Sequence, residues 1–317
     1  MRTTQGSRAA RMIGVGGYVP EGVLDNDELA ARFGKPAEWF QARTGMTTRA
    51  VAGEMTPAQM AAKAGAAAMA DAKADPEQID LVITATCSAD APIPAVAFQV
   101  IRSLEIKSAA AFDLNTACSG FCYSLAVAAD LIRAGTAHTV LVTAAEQMTA
   151  ITDPADLGTS VVFGDGAGAA VVTGSEEPGI GPVVWGSDAS GADLIVQDPG
   201  DRYLRMEGRK VFRWATTEIH PVALTACEQA GVDPSELAAV VPHQANLRIV
   251  DAMAAKIGAK NAVVARDGVQ TGNTSAASIP LALRSLMDSG QVSSGDLALL
   301  VGFGAGLSYA AQVVRVP

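Results

Sequence analysis

Short apolar runs alternate with longer helical patterns along the whole chain. The short runs read as strands at residues 12–16, 81–85, 111–114, 140–143 and 168–172, and again at 182–187, 239–241, 262–264, 298–302 and 311–316. Helices are predicted between them at 56–73, 95–104, 118–134, 211–230, 247–257 and 275–289. Strands alternating with helices argue for an α/β fold. The stretch 297–314 carries no charge and is long enough to cross a membrane, but Gly302, Gly304 and Gly306 interrupt it. Two buried strands joined by a glycine turn account for it better, and no membrane partner is expected.

The pattern is written twice. Asn115-Thr116 precedes an apolar helix, Gly135 and a strand around Leu141. Asn273-Thr274 precedes another apolar helix, Gly290 and a strand around Leu299. Chance likeness of two βα units is the alternative to duplication. Helices this apolar need cover on all sides, which places them back to back at the centre with a sheet on each side. The expectation is a five-layer α-β-α-β-α stack of two duplicated halves, 12–174 and 175–317, after a disordered polar leader at 1–11. That stack brings the start of the 118–134 helix close to the loop carrying Asn273.

Composition narrows the class. Of the 317 residues, 49% are hydrophobic and only 18% charged, so much of the chain must be interior. Four cysteines, at 87, 118, 122 and 227, are too few and scattered for a disulfide scaffold, which fits a reduced, cytoplasmic protein. A net charge of −10 argues against nucleic acid as a partner, because phosphate neutralisation needs a cationic surface.

Cys118 is the strongest chemical signal. It opens a helix, where unpaired N–H groups and the helix dipole are expected to favour thiolate and lower its pKa. A buried cysteine is otherwise an inert core residue, as Cys122 is expected to be. Of three histidines, His138 and His220 read as structural. His243 lies in a polar loop, Pro242-His243-Gln244-Ala245-Asn246, after an apolar strand, where open α/β sheets place their ligands. Asn273 is either a helix cap or a side-chain donor toward an oxyanion. The glycine clusters match neither the dinucleotide fingerprint nor the P-loop, and no Cys/His set completes a metal site. The chain shows no obvious carboxylate positioned to act as a base.

Three stretches carry a resemblance: Asn115 to Phe121, Val241 to Ile249, and Gly272 to Pro280. With Phe163 to Ala169, Gly302 to Gly306 and Glu38 to Gly45, they resemble β-ketoacyl-acyl carrier protein synthase III, a thiolase-superfamily condensing enzyme, from about residue 12 to 317. The resemblance implies a thiolase-like fold and a homodimer. It implies decarboxylative condensation of an acyl-CoA starter with malonyl-acyl carrier protein, with no cofactor beyond these substrates. Cys118 would carry the acyl group, with His243 and Asn273 binding the developing enolate oxygen. The backbone N–H groups of Cys118 and Ala305 would form an oxyanion hole.

Trp39 and Arg43 match positions that grip CoA; helix packing and a surface ion pair are the plain alternatives. Ile93 matches a residue that reaches into the partner subunit's acyl pocket, and Met148 would line that pocket. Arg248, with Arg213 and Lys256 beside Arg209 and Lys210, would dock the acidic carrier protein; solvated surface charge is the alternative for all but Arg248. Leu157 departs from the pattern, standing where the family usually has a CoA-binding arginine. That departure motivates a second reading, a starter-unit acyltransferase or condensing enzyme of secondary metabolism with an altered acyl donor. A non-catalytic partner subunit would have no need of all three of Cys118, His243 and Asn273.

Overall fold

A computed structural model describes residues 6–317. The first half runs β1 (Ala9–Tyr18), β2 (Gly22–Asp25), α1 (Asn26–Phe33), α2 (Ala37–Thr44), β3 (Thr48–Val51), α3 (Pro57–Ala72), β4 (Leu81–Ala85), α4 (Val96–Ser103), β5 (Ala110–Leu114), α5 (Gly120–Arg133), β6 (Thr139–Gln147) and β7 (Asp165–Ser175). The second runs β8 (Val184–Ser187), β9 (Ile195–Val196), β10 (Arg205–Met206), α6 (Gly208–Ala230), β11 (Ala239–Pro242), α7 (Leu247–Ile257), β12 (Val263–Val264), α8 (Gly268–Thr271), α9 (Ser278–Asp288), β13 (Leu297–Gly304) and β14 (Ser308–Arg315).

Each half builds one five-stranded sheet. The orders, β1-β7-β6-β4-β5 and β8-β14-β13-β11-β12, superpose strand for strand, with the same parallel and antiparallel neighbours. Helices α5 and α9 lie between the sheets, α3 and α4 cover the outer face of one, and α6 and α7 that of the other. This is the five-layer stack. β4 is buried at every position, as a parallel strand covered on both faces must be. The glycines of β7 let α9 approach: a Cβ at Gly168 would stand 2.6 Å from Pro280 Cγ. The central core runs from Phe121, Leu125 and Ile132 of α5 to Ile279, Leu283 and Leu286 of α9.

The uncharged run near the end forms the β13–β14 hairpin, with Gly304 opposite Ser308. Among the described residues, no helix is long and apolar enough to cross a membrane. The expected leader needs correction where it is described. β1 begins at Ala9, paired with Ser175 of β7, and the Ser7 N–H donates to Ile132 O. Residues 1–5 of that leader lie outside the described residues. The 174/175 boundary falls at the end of β7. Sequence periodicity missed the β2–β3 hairpin with α1 and α2, and the β9–β10 pair, because such short strands give too few positions to show a period.

Candidate active site

The turn carrying Cys118 is built by local chemistry. After β5 ends, Asn115 Oδ1 accepts the Ala117 N–H at 3.1 Å. Ala117 then takes a left-handed backbone, φ +47°, and residues Ala117–Ser119 form a single tight 3₁₀ turn that leads into α5. Cys118 sits in that turn, 8% exposed. The backbone N–H groups of Cys118 and Ala305 both point at Sγ, the two donors expected of an oxyanion hole. Gly304 makes the approach possible, since a Cβ there would lie 2.7 Å from Cys118 Cβ.

The expected lowering of the thiol pKa is overturned. Burial pushes Cys118 up to about 12, against smaller opposing contributions from the Ser275 hydroxyl and the two N–H groups. Removal from water disfavours the thiolate more than a few donors favour it. The thiol therefore rests protonated, and its proton needs a destination.

His243 follows β11, with its N–H donating to Val301 O at 2.8 Å and its ring edge-on to Phe303. Burial pushes its pKa down to about 3, so the imidazole is neutral. Nδ1 lies 2.7 Å from Ser278 Oγ, which also accepts the Gln244 N–H. With that oxygen already accepting, the Ser278 hydroxyl proton is the natural donor to Nδ1, which leaves Nε2 carrying hydrogen. Asn246 caps α7 by accepting the Arg248 N–H, ending the loop that holds His243. Asn273 is 4% exposed; its Oδ1 accepts the Ser275 N–H at 2.9 Å. Thr274, not Asn273, stands at the cap of the following 3₁₀ turn; the Asn273 amide oxygen is tied down, and Nδ2 borders the cavity 3.5 Å from Ala245 O.

One buried carboxylate went unnoticed in the sequence. Glu146, at the end of β6, is fully buried behind Cys118. Its oxygens accept from the hydroxyls of Ser88 (2.5 Å), Thr86 (3.2 Å) and Ser275 (3.1 Å), and from the N–H and thiol of Cys87. Burial raises its pKa despite these donors. Its signal was present in Val140-Leu141-Val142-Thr143-Ala144-Ala145-Glu146, a lone acid in an otherwise apolar strand, since an acid is almost never fully buried without partners. The expectation that no obvious carboxylate is positioned to act as a base is therefore corrected: one stands beside the site, bonded to Ser275.

Cys118, His243, Asn273, Ala305 and Met148 line a single cavity of about 760 Å³. Phe163, Leu204 and Met206 supply more of its apolar wall.

The residues at these positions match a known pattern. Residues 112–189 match the model for 3-oxoacyl-[acyl-carrier-protein] synthase III, and residues 227–316 match the model for its C-terminal part. "Beta-ketoacyl-[acyl-carrier-protein] synthase III 4" of Streptomyces coelicolor is 48% identical over 98% of this chain and 99% of its own. The chain belongs to the 3-oxoacyl-acyl carrier protein synthase III family. A relative of that name from Mycobacteroides abscessus is 46% identical over 96% of this chain and 94% of its own. Two solved structures share the fold closely. The priming β-ketosynthase of the R1128 polyketide pathway has a TM-score of 0.96 at 42% identity, covering 100% of this chain and 98% of that one. The synthase III of Pseudomonas aeruginosa has a TM-score of 0.92 at 38% identity, covering 98% and 99%.

In this synthase the outer residues fall into distinct places. Trp39 and Arg43 line the cavity, with the Arg43 guanidinium stacked 5.0 Å from the Trp39 ring. Arg248 lines it too, over the Phe212 ring, and so does Arg209. Arg213 is exposed on α6, and exposed Lys256 on α7 donates to Thr216 O of α6. Ile93 is not among the cavity residues of the single chain and is 84% exposed. Leu157 packs into the apolar cluster of Leu29, Phe40 and Val161, with Trp39 on its border. Cys122 is fully buried in the central core, while His138 is exposed beside Asp80.

Proposed function

We propose that this synthase moves an acyl group from acyl-CoA onto Cys118 and condenses it with malonyl carried on acyl carrier protein. The products are 3-ketoacyl-acyl carrier protein, CO2 and CoA. One observation carries the reading: a buried thiol under two backbone donors, a neutral histidine and an asparagine amide open onto the same cavity.

The thiolate attacks the acyl-CoA carbonyl, and the N–H groups of Cys118 and Ala305 hold the tetrahedral oxyanion until CoA leaves. Malonyl-carrier then loses CO2, and charge moves onto its thioester oxygen. Nε2 of His243 and Nδ2 of Asn273 donate to that oxygen, more strongly in the transition state than in the substrate. A neutral imidazole suits this task because it donates a hydrogen bond without gaining a proton. The carbanion attacks the acyl-Cys118 carbonyl, and the same two N–H groups hold the second oxyanion. Decarboxylation itself generates the carbanion, so no strong base is needed to form it.

Exposed Arg248, Arg213 and Lys256 form a local cationic surface on an acidic chain, suited to an acidic carrier protein. A homodimer is supported by the unpaired edge of β5 and by Ile93, Phe98 and Phe112, which are large, apolar and exposed in the single chain. In it, Ile93 would reach the partner's acyl pocket. The four free thiols suit the reducing cytoplasm.

A second reading shares this site, a priming enzyme of secondary metabolism with an altered acyl donor. It is favoured by the closeness of the polyketide priming ketosynthase and by Leu157, which has no charge to offer a CoA phosphate. Intact-protein mass spectrometry separates the readings. The protein is incubated with acetyl-, isobutyryl-, hexanoyl- and dodecanoyl-CoA, and with the same acyl groups on carrier protein, before malonyl-carrier is added. An adduct on Cys118 from CoA that malonyl-carrier discharges as a 3-ketoacyl product supports condensation and names the starter. Loading from acyl-carrier alone supports the altered donor. An adduct that malonyl-carrier leaves in place sinks condensation.

A further inference from the structure

The proton on Cys118 has a route out of the cavity that leads to Glu146. Ser275 Oγ stands 3.4 Å from Cys118 Sγ and 3.1 Å from Glu146 Oε1. A hydroxyl carries one proton, so this bridge has two states. In one, the thiol donates to Ser275 and Ser275 donates to the carboxylate. In the other, the carboxylic acid donates to Ser275 and Ser275 donates to the thiolate. Ser275 is held in place for this by its left-handed backbone, φ +49°, and by its N–H bond to Asn273 Oδ1.

We propose that Glu146, acting through the Ser275 hydroxyl, takes the proton from Cys118 before acyl transfer and returns it after condensation. This deepens the condensation reading and rests on it for the second half of the cycle. The steps balance. The S–H bond breaks as the Ser275 O–H bond forms, and the former Ser275 proton bonds to Glu146. Cys118 thiolate takes the acyl group and CoA leaves as its thiolate, protonated by water. After condensation, Cys118 leaves the tetrahedral intermediate as thiolate, and the two protons run back. The net cycle consumes one proton, as the conversion of a malonyl carboxylate to CO2 requires.

The charge arithmetic favours Glu146 over His243. Proton transfer to Glu146 keeps one negative charge in the pocket and moves it to Sγ, beneath two N–H donors. Transfer to His243 would leave a buried imidazolium beside the new thiolate and keep the Glu146 charge, three buried charges in place of one. Burial also raises the basicity of Glu146. Among the described contacts, the ionisable groups facing Glu146 are Cys87, on the segment after β4, and Cys118 across Ser275. Cys87 donates to the carboxylate and is pushed up by burial and by Glu146, so it stays a thiol.

The test needs no substrate. Alkylation of Cys118 by iodoacetamide is followed by peptide-resolved mass spectrometry across pH, in the full chain and in Ser275→Ala, Glu146→Gln and the double variant. Circular dichroism checks each fold. With the relay, wild-type alkylation holds a plateau through neutral pH, because the thiolate forms without the site losing a proton. Both single variants lose the plateau, climb about tenfold per pH unit, and fall at least about tenfold below wild type at pH 7. The double variant falls no further than the slower single.

If Glu146 were only a buried charge, its removal would favour the thiolate and speed alkylation. Faster alkylation, or an unchanged plateau in a folded variant, overturns the relay. Should Glu146→Gln fail to fold, Ser275→Ala decides alone, since Glu146 keeps its bonds to Ser88, Thr86 and Cys87. A wild-type protein that shows the plateau but makes no 3-ketoacyl product would sink the condensation reading and leave the relay standing.

Discussion

Asn115-Thr116-Ala117 and Asn273-Thr274-Ser275 are the same turn in the two halves. In each, the asparagine Oδ1 accepts the N–H two residues on, at 3.1 and 2.9 Å. In each, the third residue is left-handed, φ +47° and +49°, and a 3₁₀ turn leads into a central helix. What differs is the cargo. The first turn carries Cys118 where the second has buried Ala276, and the second carries Ser275 where the first has Ala117. Ser278 of the second holds His243 where the first has Gly120. Asn115 is exposed and Asn273 buried. One backbone device, made twice, supplies the proposed nucleophile from one copy and its hydrogen-bonding partners from the other.

The largest effect should come from moving the cargo. Cys118→Ala is expected to lower acyl transfer at least about 10⁴-fold. Adding Ala276→Cys should not restore it, because that position is sealed in the central core. An acyl adduct in this double variant, seen by mass spectrometry, would show the turns to be interchangeable. Next come the asparagines. Asn273→Ala should slow malonyl-carrier decarboxylation roughly 100- to 1,000-fold while sparing acylation of Cys118 more. Asn115→Ala should leave decarboxylation nearly unchanged and cost about 1 kcal/mol of stability, as the Asn115 Oδ1 bond to the Ala117 N–H is lost. Equal kinetic losses from both would erase the distinction.

Gly304→Ala tests the crowding peculiar to the first turn. A Cβ there drives into Cys118, so a melting experiment should show about 1–3 kcal/mol lost, together with acyl transfer. The smallest effect at neutral pH concerns His243, which only the second turn anchors. Its folded pKa of about 3 lies below the usual 6.5, so the unfolded chain takes up this proton first as pH falls. Its contribution to stability is complete above about 6.5 and drains away toward 3, at about 1.4 kcal/mol per unit. Relative to wild type, His243→Gln should show a flatter decline of melting temperature over that acid range. Glu146, whose pKa is raised, pulls the opposite way, losing its contribution as pH rises through its folded pKa. An unchanged slope in His243→Gln would mean that the imidazole is not held neutral.

Much of this was legible in the chain. Strands at 81–85 and helix 247–257 fall where the pattern placed them, since β4 and α7 are regular elements with clear boundaries. Cys118, His243 and Asn273 stood out because the motifs around them resemble those of the synthase III family. Glu146 and Ser275 did not, since the lone acid in its strand does not show which groups bury it, and a serine two residues after an asparagine is ordinary until its neighbours are known. The misjudged Cys118 pKa has the same origin. A sequence shows that a helix follows the thiol, but not how far the fold removes that thiol from water.

The sequence by itself determined the α/β alternation, the duplication and the family motifs that single out the candidate reacting groups, because periodicity and motifs are local properties of a chain. Only the tertiary structure decided the protonation states and the contacts on which the proposed proton path rests. Those depend on burial and on contacts between residues as distant as Cys118, Glu146 and Ser275, which meet only when the two sheets close over their central helices.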